Sequence, residues 1–173
     1  AIALKGFGVA LPLSPQGIAN DDLINQMLAT LSTSSLPPRL LHLTIHSDVL
    51  LTDDDRATKN MIKLRNAGCR VIVSQVGRDM DIFNQLNRQM CDYVMIAPEL
   101  VMDVHTNLMD EMMVTIIQGH AQRLGLKCIA GPADQAMIMD TLSGIGIDMI
   151  WGDTIAQTQP LDMLLNQGYF GIN

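Results

Sequence analysis

The chain has 173 residues, of which 48% are hydrophobic and 17% charged, a composition typical of one globular domain with a sizeable core. Its net charge of −7, with 11 basic residues that never stand side by side, argues against direct binding of nucleic acid. No apolar run approaches the roughly 20 residues of a membrane span, and no signal-peptide pattern is present, so this segment is expected to make no membrane contact.

Predicted strands and helices alternate along the whole chain. In chain order the strand–helix pairs cover residues 8–13 with 22–31, 39–47 with 53–68, 69–76 with 79–89, 93–98 with 108–125, 127–131 with 134–146, and 148–152 with 160–168. Asn20 or Asp21 can cap the first helix, and Gly68 ends the second. Six such units in succession predict an α/β fold with a parallel sheet and helices outside it.

Two architectures fit this order of elements, a doubly wound sheet and a TIM-type (β/α)8 barrel. The first strand is followed by neither a GxGxxG motif nor a P-loop, which counts against a nucleotide-binding doubly wound fold. A full barrel needs about 250 residues, so the six units here correspond to roughly three quarters of one. Because an open barrel exposes strand edges, we expect more of the chain, or a neighbour, to cover the first and last strands.

Sulfur-containing residues supply much of the predicted core, since only 3% of the residues are aromatic. The cysteines are odd in number, widely spaced and close to apolar segments, which predicts buried free thiols in a reducing compartment: Cys69, Cys91 and Cys128. Five methionines at helix positions are expected to pack helices against the sheet, a Met-rich partner-binding surface being the alternative: Met27, Met61, Met112, Met113 and Met139.

The predicted carboxyl ends of the strands, where β/α proteins usually carry their chemistry, hold almost no charge. The residues there are Pro12, Ser14, Thr44, His46, Ser47, Ser74, Gln75, Met95, Ala97, Gly131, Trp151 and Asp153. Catalysis by divalent metal ions needs several converging carboxylates or imidazoles, and general acid–base catalysis needs a Glu, Lys or His with a partner. These strand ends therefore predict a site without metal-dependent chemistry.

The charged residues near the strand ends have structural explanations. His42 and His46 share a strand face with Thr44 but lie about 13 Å apart by strand rise, too far to share one ion. We expect one of them to be a hydrogen-bonded interior histidine and the other to lie near the rim. Four acids precede or open predicted helices, where capping explains them, a weak cation site being the alternative: Asp48, Asp79, Glu99 and Asp134.

Six stretches of the chain carry motifs with long and specific spacings. "LPLSPQ" stands where a known family has VNLSxxQ, "LTIHSDVLL" where it has LEITESxLL, and "LRNAGCRVIVSQVG" where it has LRxxGxxxALDDFG. "CDYVMIAPELV" corresponds to xDxxKIDxxFV, "HAQRLGLKCIAGPADQ" to AxxLGxxVVAEGVET, and "GIGIDMIWG" to LGCDYVQG. The chain thus resembles the EAL domain, the cyclic-di-GMP phosphodiesterase barrel of bacteria. The resemblance implies a TIM-type (β/α)8 barrel in which residues 1–173 form a single degenerate EAL domain that lacks its N-terminal βα units.

The resemblance also implies that the residues which bind metal and catalyse in the family are replaced here. The family's Asn falls on Pro12, its two strand Glu residues on Thr44 and Ser47, and its Asp–Asp pair on Ser74 and Gln75. Its Lys and the following Asp fall on Met95 and Ala97, the Glu of AEGVE on Gly131, and the Gln before the closing Gly on Trp151. Of the family's acidic positions, the resemblance leaves an acid only at the last Glu of the AEGVET motif, where this chain has Asp134. Because two metal ions activate water in the family, the expectation is no metal, no cofactor and no catalysis.

Family members with so complete a loss resemble degenerate regulators in which the barrel binds protein, of the type of CsrD and MshH. This implies a non-catalytic adaptor in bacterial signalling that acts in control of small regulatory RNA turnover. Its expected partners are the glucose-specific EIIA protein and RNase E, and its expected place is the cytoplasm, in a parent protein anchored in the inner membrane. The alternatives are a receptor that binds cyclic-di-GMP without cleaving it, for which Arg78 is the only basic residue near a strand end, and a phosphodiesterase that uses Asp134 or Asp153.

Overall fold

The computed structural model describes residues 8–52, 54–160 and 163. Six parallel strands form one sheet and neighbour one another in sequence order. They are β1 (Val9–Leu13), β2 (Leu41–His46), β3 (Arg70–Val76), β4 (Tyr93–Ile96), β5 (Lys127–Ala130) and β6 (Met149–Ile150). A doubly wound sheet reverses its strand order at a switch point, so the unbroken order favours the partial barrel and confirms the predicted fold class.

Helices connect the strands on one side of the sheet. They are α1 (Pro15–Ile18), α2 (Asp21–Thr33), α3 (Arg56–Asn66), α4 (Pro98–Met102), α5 (Leu108–Leu124) and α6 (Ala136–Ile145), with 3-10 turns at Pro38–Leu40, Ser47–Leu51 and Met80–Asn84. Of the two predicted caps of α2, Asn20 is the one observed, because its side chain accepts a hydrogen bond from the Leu23 N–H at 3.1 Å. The helix predicted over residues 160–168 lies outside the described residues except at Pro160 and Met163.

The helix predicted over residues 79–89 is wrong, since the structure has only the 3-10 turn Met80–Asn84 there. The Asp79 side chain accepts from the Asp81 N–H at 2.8 Å, and the Asn87 side chain accepts from the Gln89 N–H at 3.0 Å. Such bonds from short polar side chains to the main chain compete with helical hydrogen bonding. The apolar Ile82 is nevertheless buried, so the segment still covers the sheet.

The core lies between the outer face of the sheet and the helices. Alternate strand positions point to this layer and are fully buried, namely Leu43, Ile45, Val71, Val73, Val94 and Ile96. They pack with Met61 of α3, Ile117 of α5 and Leu142 of α6. The opposite, inner face carries half-buried side chains such as Thr44 and Ser74.

Of the five methionines predicted to pack helices against the sheet, four are buried or half-buried. Met61 is fully buried, Met27 and Met139 pack against the core cluster, and Met113 is half-buried. Met112 is 49% exposed, so the prediction that it packs against the sheet is wrong. The buried residues of α5 include Ile117, and at 100° per residue Met112 lies on the opposite side of the helix from them.

The outer strands β1 and β6 each pair with one neighbour among the described residues. Large apolar side chains lie exposed along them, with Leu11 of β1 at 46% and Met149 of β6 at 39%. A strand edge of this kind offers unpaired main-chain groups to another chain. That something covers both edges stays a prediction.

Asp92 joins the amino ends of β3 and β4. It lies just before β4, and its Oδ2 accepts a hydrogen bond from the Val71 N–H of β3 at 3.1 Å. Its Oδ1 accepts from Arg65 Nη2 at 3.1 Å and from Arg70 Nη1 at 2.9 Å. With its side chain only 9% exposed, this carboxylate is a nearly buried anchor for two strands and one helix end.

Asp148 has the same role at the amino ends of β5 and β6. It lies just before β6, and its Oδ2 accepts from the Cys128 N–H of β5 at 2.9 Å. The buried Gln118 of α5 donates to the Gly146 carbonyl at 2.7 Å beside it. Two carboxylates therefore satisfy main-chain N–H groups where parallel strands begin.

The three cysteines are buried free thiols, as predicted. Burial raises the pKa of Cys91 and of Cys128 to about 12, and it also raises the pKa of Cys69. Because the thiolate is the reactive form, burial and the raised pKa both disfavour reaction of these thiols in the folded protein.

We expect Asp92→Ala to lower the free energy of unfolding by about 2–4 kcal/mol, since it removes a nearly buried acceptor and leaves two arginines and an N–H unpaired. Urea denaturation followed by circular dichroism measures the change. Asp140→Ala, at an exposed acid of α6, is the matched control and should change stability by less than about 0.5 kcal/mol. Equal effects of the two substitutions would contradict the anchoring role of Asp92.

A second prediction concerns the thiols. In the native protein at about pH 8, all three cysteines should react with Ellman's reagent far more slowly than free cysteine, because burial suppresses thiolate formation. In urea all three should react at the rate of an exposed thiol. Fast labelling of native Cys91 or Cys128, located by mass spectrometry, would show that the amino ends of β4 and β5 open readily.

Candidate functional site

The carboxyl ends of the strands meet at one rim of the sheet, and neutral side chains stand there. By strand register Pro12 of β1 lies beside Thr44 of β2, and His46 lies beside Ser74 of β3. Further along, Met95 of β4 is half-buried beside Ile129 of β5, and Ala97 is fully buried. The structure thus brings the residues of the sequence-predicted site to one edge.

The hydroxyl groups of Ser47 and Ser74, at the ends of β2 and β3, donate hydrogen bonds to the main chain. Ser47, 4% exposed, donates from Oγ to the Gln75 carbonyl at 3.2 Å. Ser74 donates from Oγ to the Ile45 carbonyl at 3.3 Å. Both bonds link β2 to β3 where the regular ladder ends, so the serines act as structural ties.

Gln75 is the most constrained residue of the rim. Its φ of 62° places it in the left-handed region, where no other non-glycine residue of the described ranges lies, at a cost of about 1–2 kcal/mol. The register between β3 and β4 shifts between Val73 and Val76, on either side of it. Its side-chain Oε1 is buried without a hydrogen-bond partner. The end of β3 is therefore strained, although its side chains are neutral.

The two histidines of β2 are engaged separately. His46 lies at the rim, where its Nδ1 accepts from the Asp48 N–H at 3.3 Å. His42 stacks on Tyr93 with ring centroids 5.8 Å apart, and burial, with help from Arg70, lowers its pKa. The hydrogen-bonded histidine is thus the one at the rim, not one in the interior as expected. Among the residues that the structure describes, no three His, Cys, Asp or Glu side chains converge to hold a metal ion.

Trp151 lies directly against Gly131, which follows β5. A Cβ atom on Gly131 would overlap the Trp151 carbonyl oxygen and would lie 2.7 Å from indole Cε2 and Nε1. The Trp151 N–H donates to the Ala130 carbonyl at 3.1 Å, and the Ala133 N–H donates to the Trp151 carbonyl at 2.8 Å, which fixes the tryptophan main chain in place. No side chain fits at position 131 unless Trp151 moves.

Asp134 and Asp153 are the acids nearest to this contact. They help to line an open cavity of about 400 Å³ beside Trp151. Asp134 Oδ1 accepts from the Asp153 N–H at 3.2 Å, so the prediction that Asp134 caps α6 is wrong. The residue at the cap position is Gln135, whose side chain makes no capping bond. The Asp134 carboxylate therefore binds the loop after β6 through the Asp153 N–H.

The other acids at the rim lie at the starts of helical turns, as predicted. Asp79 caps the turn Met80–Asn84, and Asp48 and Glu99 lie in the first turns of their segments. Glu99 also binds Arg78 through the arginine Nε, and this bond lowers the pKa of Glu99 and raises that of Arg78. Arg78, the basic side chain that follows β3, is therefore already paired.

Comparison with known proteins identifies the domain type. A family model described as EAL domain matches residues 2–158. The "Probable diguanylate cyclase DgcE" of Escherichia coli strain K12 is 54% identical over 173 residues, which are 100% of this chain and 15% of that protein. Of the solved structures, the Xanthomonas citri FimX EAL domain in complex with c-diGMP aligns with a TM-score of 0.80 and 19% identity over 90% of this chain and 61% of its own. The PaMucR phosphodiesterase in its c-di-GMP complex aligns with a TM-score of 0.83 and 20% identity over 91% and 64%.

These matches confirm the predicted EAL resemblance and its fold. The chain spans less than two thirds of each of these relatives. The structural likenesses, at 19% and 20% identity, concern the fold, so the replaced site residues and the partners stay predictions. Within the described ranges no helix has the length and apolar character to cross a bilayer. The contact between Gly131 and Trp151 was not predicted, although both residues depart from the family motifs.

Gly131→Ala should lower the free energy of unfolding by about 2–4 kcal/mol, because the new methyl group would overlap Trp151 and the backbone at φ 157° disfavours any side chain. The fluorescence of Trp151, the single tryptophan, should shift as the indole is displaced. The matched control is Gly144→Ala in α6, where a Cβ meets nothing within 4 Å, and it should stabilise by about 0.5–1 kcal/mol. An unchanged free energy of unfolding in Gly131→Ala would show that Trp151 does not occupy this space.

Proposed function

Since the chain belongs to the EAL domain family of cyclic-di-GMP signalling, we propose that it is a non-catalytic EAL domain that works as a protein-binding regulatory module. The observation that carries the proposal is the rim itself. Where the resemblance places the family's charged ligands, this chain has neutral residues: Ser47 and Ser74 donate to its own main chain, and Trp151 fills the space beside Gly131.

The neutral ends of β2 and β3 cannot balance the charge of divalent ions. Two such ions require several carboxylates at the strand ends to bind and to activate water. Thr44, Ser47, Ser74 and Gln75 offer hydroxyl and amide groups, and both serine hydroxyls already donate to carbonyl groups. These contacts support a structural use of positions that bind metal in the family.

The end of β5 supports the same proposal by packing. A Glu at position 131 would need space that the Trp151 carbonyl and indole fill. Restoring the ligand therefore needs a change at Trp151 as well as at Gly131. A phosphodiesterase with the family's own ligand set is thus disfavoured by shape and by charge.

The remaining acids leave little for a different catalytic set. Asp134 and Asp153 are exposed, and Asp134 already accepts from the Asp153 main chain. Glu99 is paired with Arg78. A phosphodiesterase with new ligands would depend on Asp134 and Asp153, which makes this alternative open to direct test.

One observation favours a second candidate, a receptor that binds cyclic-di-GMP without cleaving it. The cavity beside Trp151 is about 400 Å³ and borders the half-exposed indole, on which a base could stack. FimX, of the same fold, has been solved with c-diGMP. Against this candidate, Arg78 is engaged by Glu99, so a phosphate would have to displace that carboxylate.

The name of a relative suggests a partner for the domain. DgcE, the 54% identical relative, is named a probable diguanylate cyclase, and we propose that the polypeptide carrying this domain makes cyclic-di-GMP while the domain regulates it by protein contact. Glucose-specific EIIA, RNase E, control of RNA turnover, a cytoplasmic location and a membrane-anchored parent stay predictions. The assignment of residues 1–173 to a single degenerate EAL domain without its N-terminal units is likewise a prediction.

The proposal predicts that the intact polypeptide carrying this domain does not hydrolyse cyclic-di-GMP with Mg²⁺ or Mn²⁺. Chromatography of the nucleotide after incubation should show no linear product above the protein-free background, because the rim lacks the ligands for either ion. A catalytically active EAL phosphodiesterase under the same conditions is the positive control.

The same assay on Asp134→Asn and Asp153→Asn separates the alternatives. Metal-dependent hydrolysis that either substitution abolishes would establish a phosphodiesterase and refute the adaptor. Calorimetry with cyclic-di-GMP, compared between the parent protein and Trp151→Ala, decides between adaptor and receptor. Saturable binding that Trp151→Ala weakens would favour the receptor, whereas saturable binding of EIIA, RNase E or the cyclase region to the domain would support the adaptor.

A further inference from the structure

A cationic pocket lies at the opposite edge of the sheet from the rim, where the strands begin. It has a volume of about 210 Å³, and its charged lining is Arg65, Arg70, Arg88, Lys127 and Asp92. Four of the 11 basic residues of a chain with net charge −7 converge there. Such a concentration of one sign of charge attracts anions.

The single carboxylate of the pocket is already used by its neighbours. Asp92 Oδ1 accepts from both Arg65 and Arg70, and Oδ2 accepts from the Val71 N–H. Its side chain is 9% exposed, so little of it faces the pocket. One negative charge opposite four positive ones leaves the lining strongly cationic.

Arg88 is held at the pocket by the shape of the main chain. It lies against Gly125, the left-handed residue at φ 69° that ends α5, and a Cβ there would be 2.8 Å from Arg88 Cδ and 3.1 Å from Nη1. The missing side chain at position 125 thus makes room for the guanidinium. In residues 8–52 and 54–160 neither Arg88 nor Lys127 forms an ion pair.

Structural roles account for only some of this cluster. Arg65 lies in the last turn of α3, where a cation complements the helix dipole, and Arg65 and Arg70 brace Asp92. Arg88 and Lys127, both exposed to solvent, add two more positive charges to the lining of the same pocket, where a bound anion would offset them. A bound anion would account for the presence of these two further cations at the pocket.

We propose that this pocket binds the phosphate group of a small phosphorylated molecule. Guanidinium groups bind phosphate oxygens with paired, directional hydrogen bonds, and a lysine adds a mobile charge. The volume accommodates a phosphate with a small organic body. The site lies away from the rim where the family carries its metal chemistry, so it stands whether or not the domain is catalytic. An anion there would also tie α3, β3, β4 and β5 together and would stabilise the folded state by mass action.

The test is calorimetric titration of the intact polypeptide with pyrophosphate at constant ionic strength near 0.15 M. The double variant Arg88→Gln/Lys127→Gln removes the two unpaired cations and leaves the anchor at Asp92 in place. The control Arg39→Gln/Arg123→Gln removes two exposed cations outside the pocket. Circular dichroism and the urea midpoint establish that each variant is folded, and Lys127→Gln alone is used if the double variant is not.

The expected result is saturable binding that weakens at least about tenfold in Arg88→Gln/Lys127→Gln, a difference of about 1.4 kcal/mol, and is unchanged in the control. Orthophosphate should bind at the same residues more weakly, because it carries less charge. Equal affinity in the pocket variant and the parent protein would overturn the proposal, since binding would then lie elsewhere. Heats that do not saturate by about 10 mM pyrophosphate would overturn it too, because they would show only screening of surface charge.

Discussion

The close approach of Trp151 to Gly131 is the constraint on which the character of the rim depends. Parallel strands bring their carboxyl ends to one edge, and any catalyst of this fold must place charged side chains there. At the end of β5 the carbonyl and indole of Trp151 lie where a side chain at position 131 would begin. Because main-chain bonds to Ala130 and Ala133 hold the tryptophan, packing limits which side chain the end of β5 can carry at position 131.

The opposite edge of the sheet shows the reverse arrangement. Asp92 and Asp148 stand before β4 and β6, and each accepts a main-chain N–H from the strand next to it. In barrels of this kind residues at the amino ends serve stability, whereas residues at the carboxyl ends serve catalysis. Here Asp92 and Asp148 satisfy main-chain groups at the amino ends, whereas Thr44, Ser74 and Met95 at the carboxyl ends of their strands carry no charge. The distribution is that of a scaffold whose stabilising parts are intact.

The sequence indicated the sheet more fully than it indicated the site. Strand alternation and motif spacing are local or regular along the chain, so the six parallel strands and the EAL fold could be predicted. The helix over residues 79–89 could not be excluded, because the capping bonds of Asp79 and Asn87 break an otherwise helical pattern. The place of Asp134, and the contact of Gly131 with Trp151, depend on how two strand ends approach in space, which spacing does not encode.

The two edges of the sheet are separate, so the anchors of the strands do not depend on the side chains at the rim. The apolar layer between sheet and helices is formed by side chains of the outer face, such as Leu43, Val71 and Val94, whereas Thr44 and Ser74 lie on the inner face. A substitution at Thr44 therefore leaves the outer packing and the strand anchors in place, whereas one at Ser74 also removes the bond to the Ile45 carbonyl. Function on such a scaffold follows from surfaces and pockets, not from the fold.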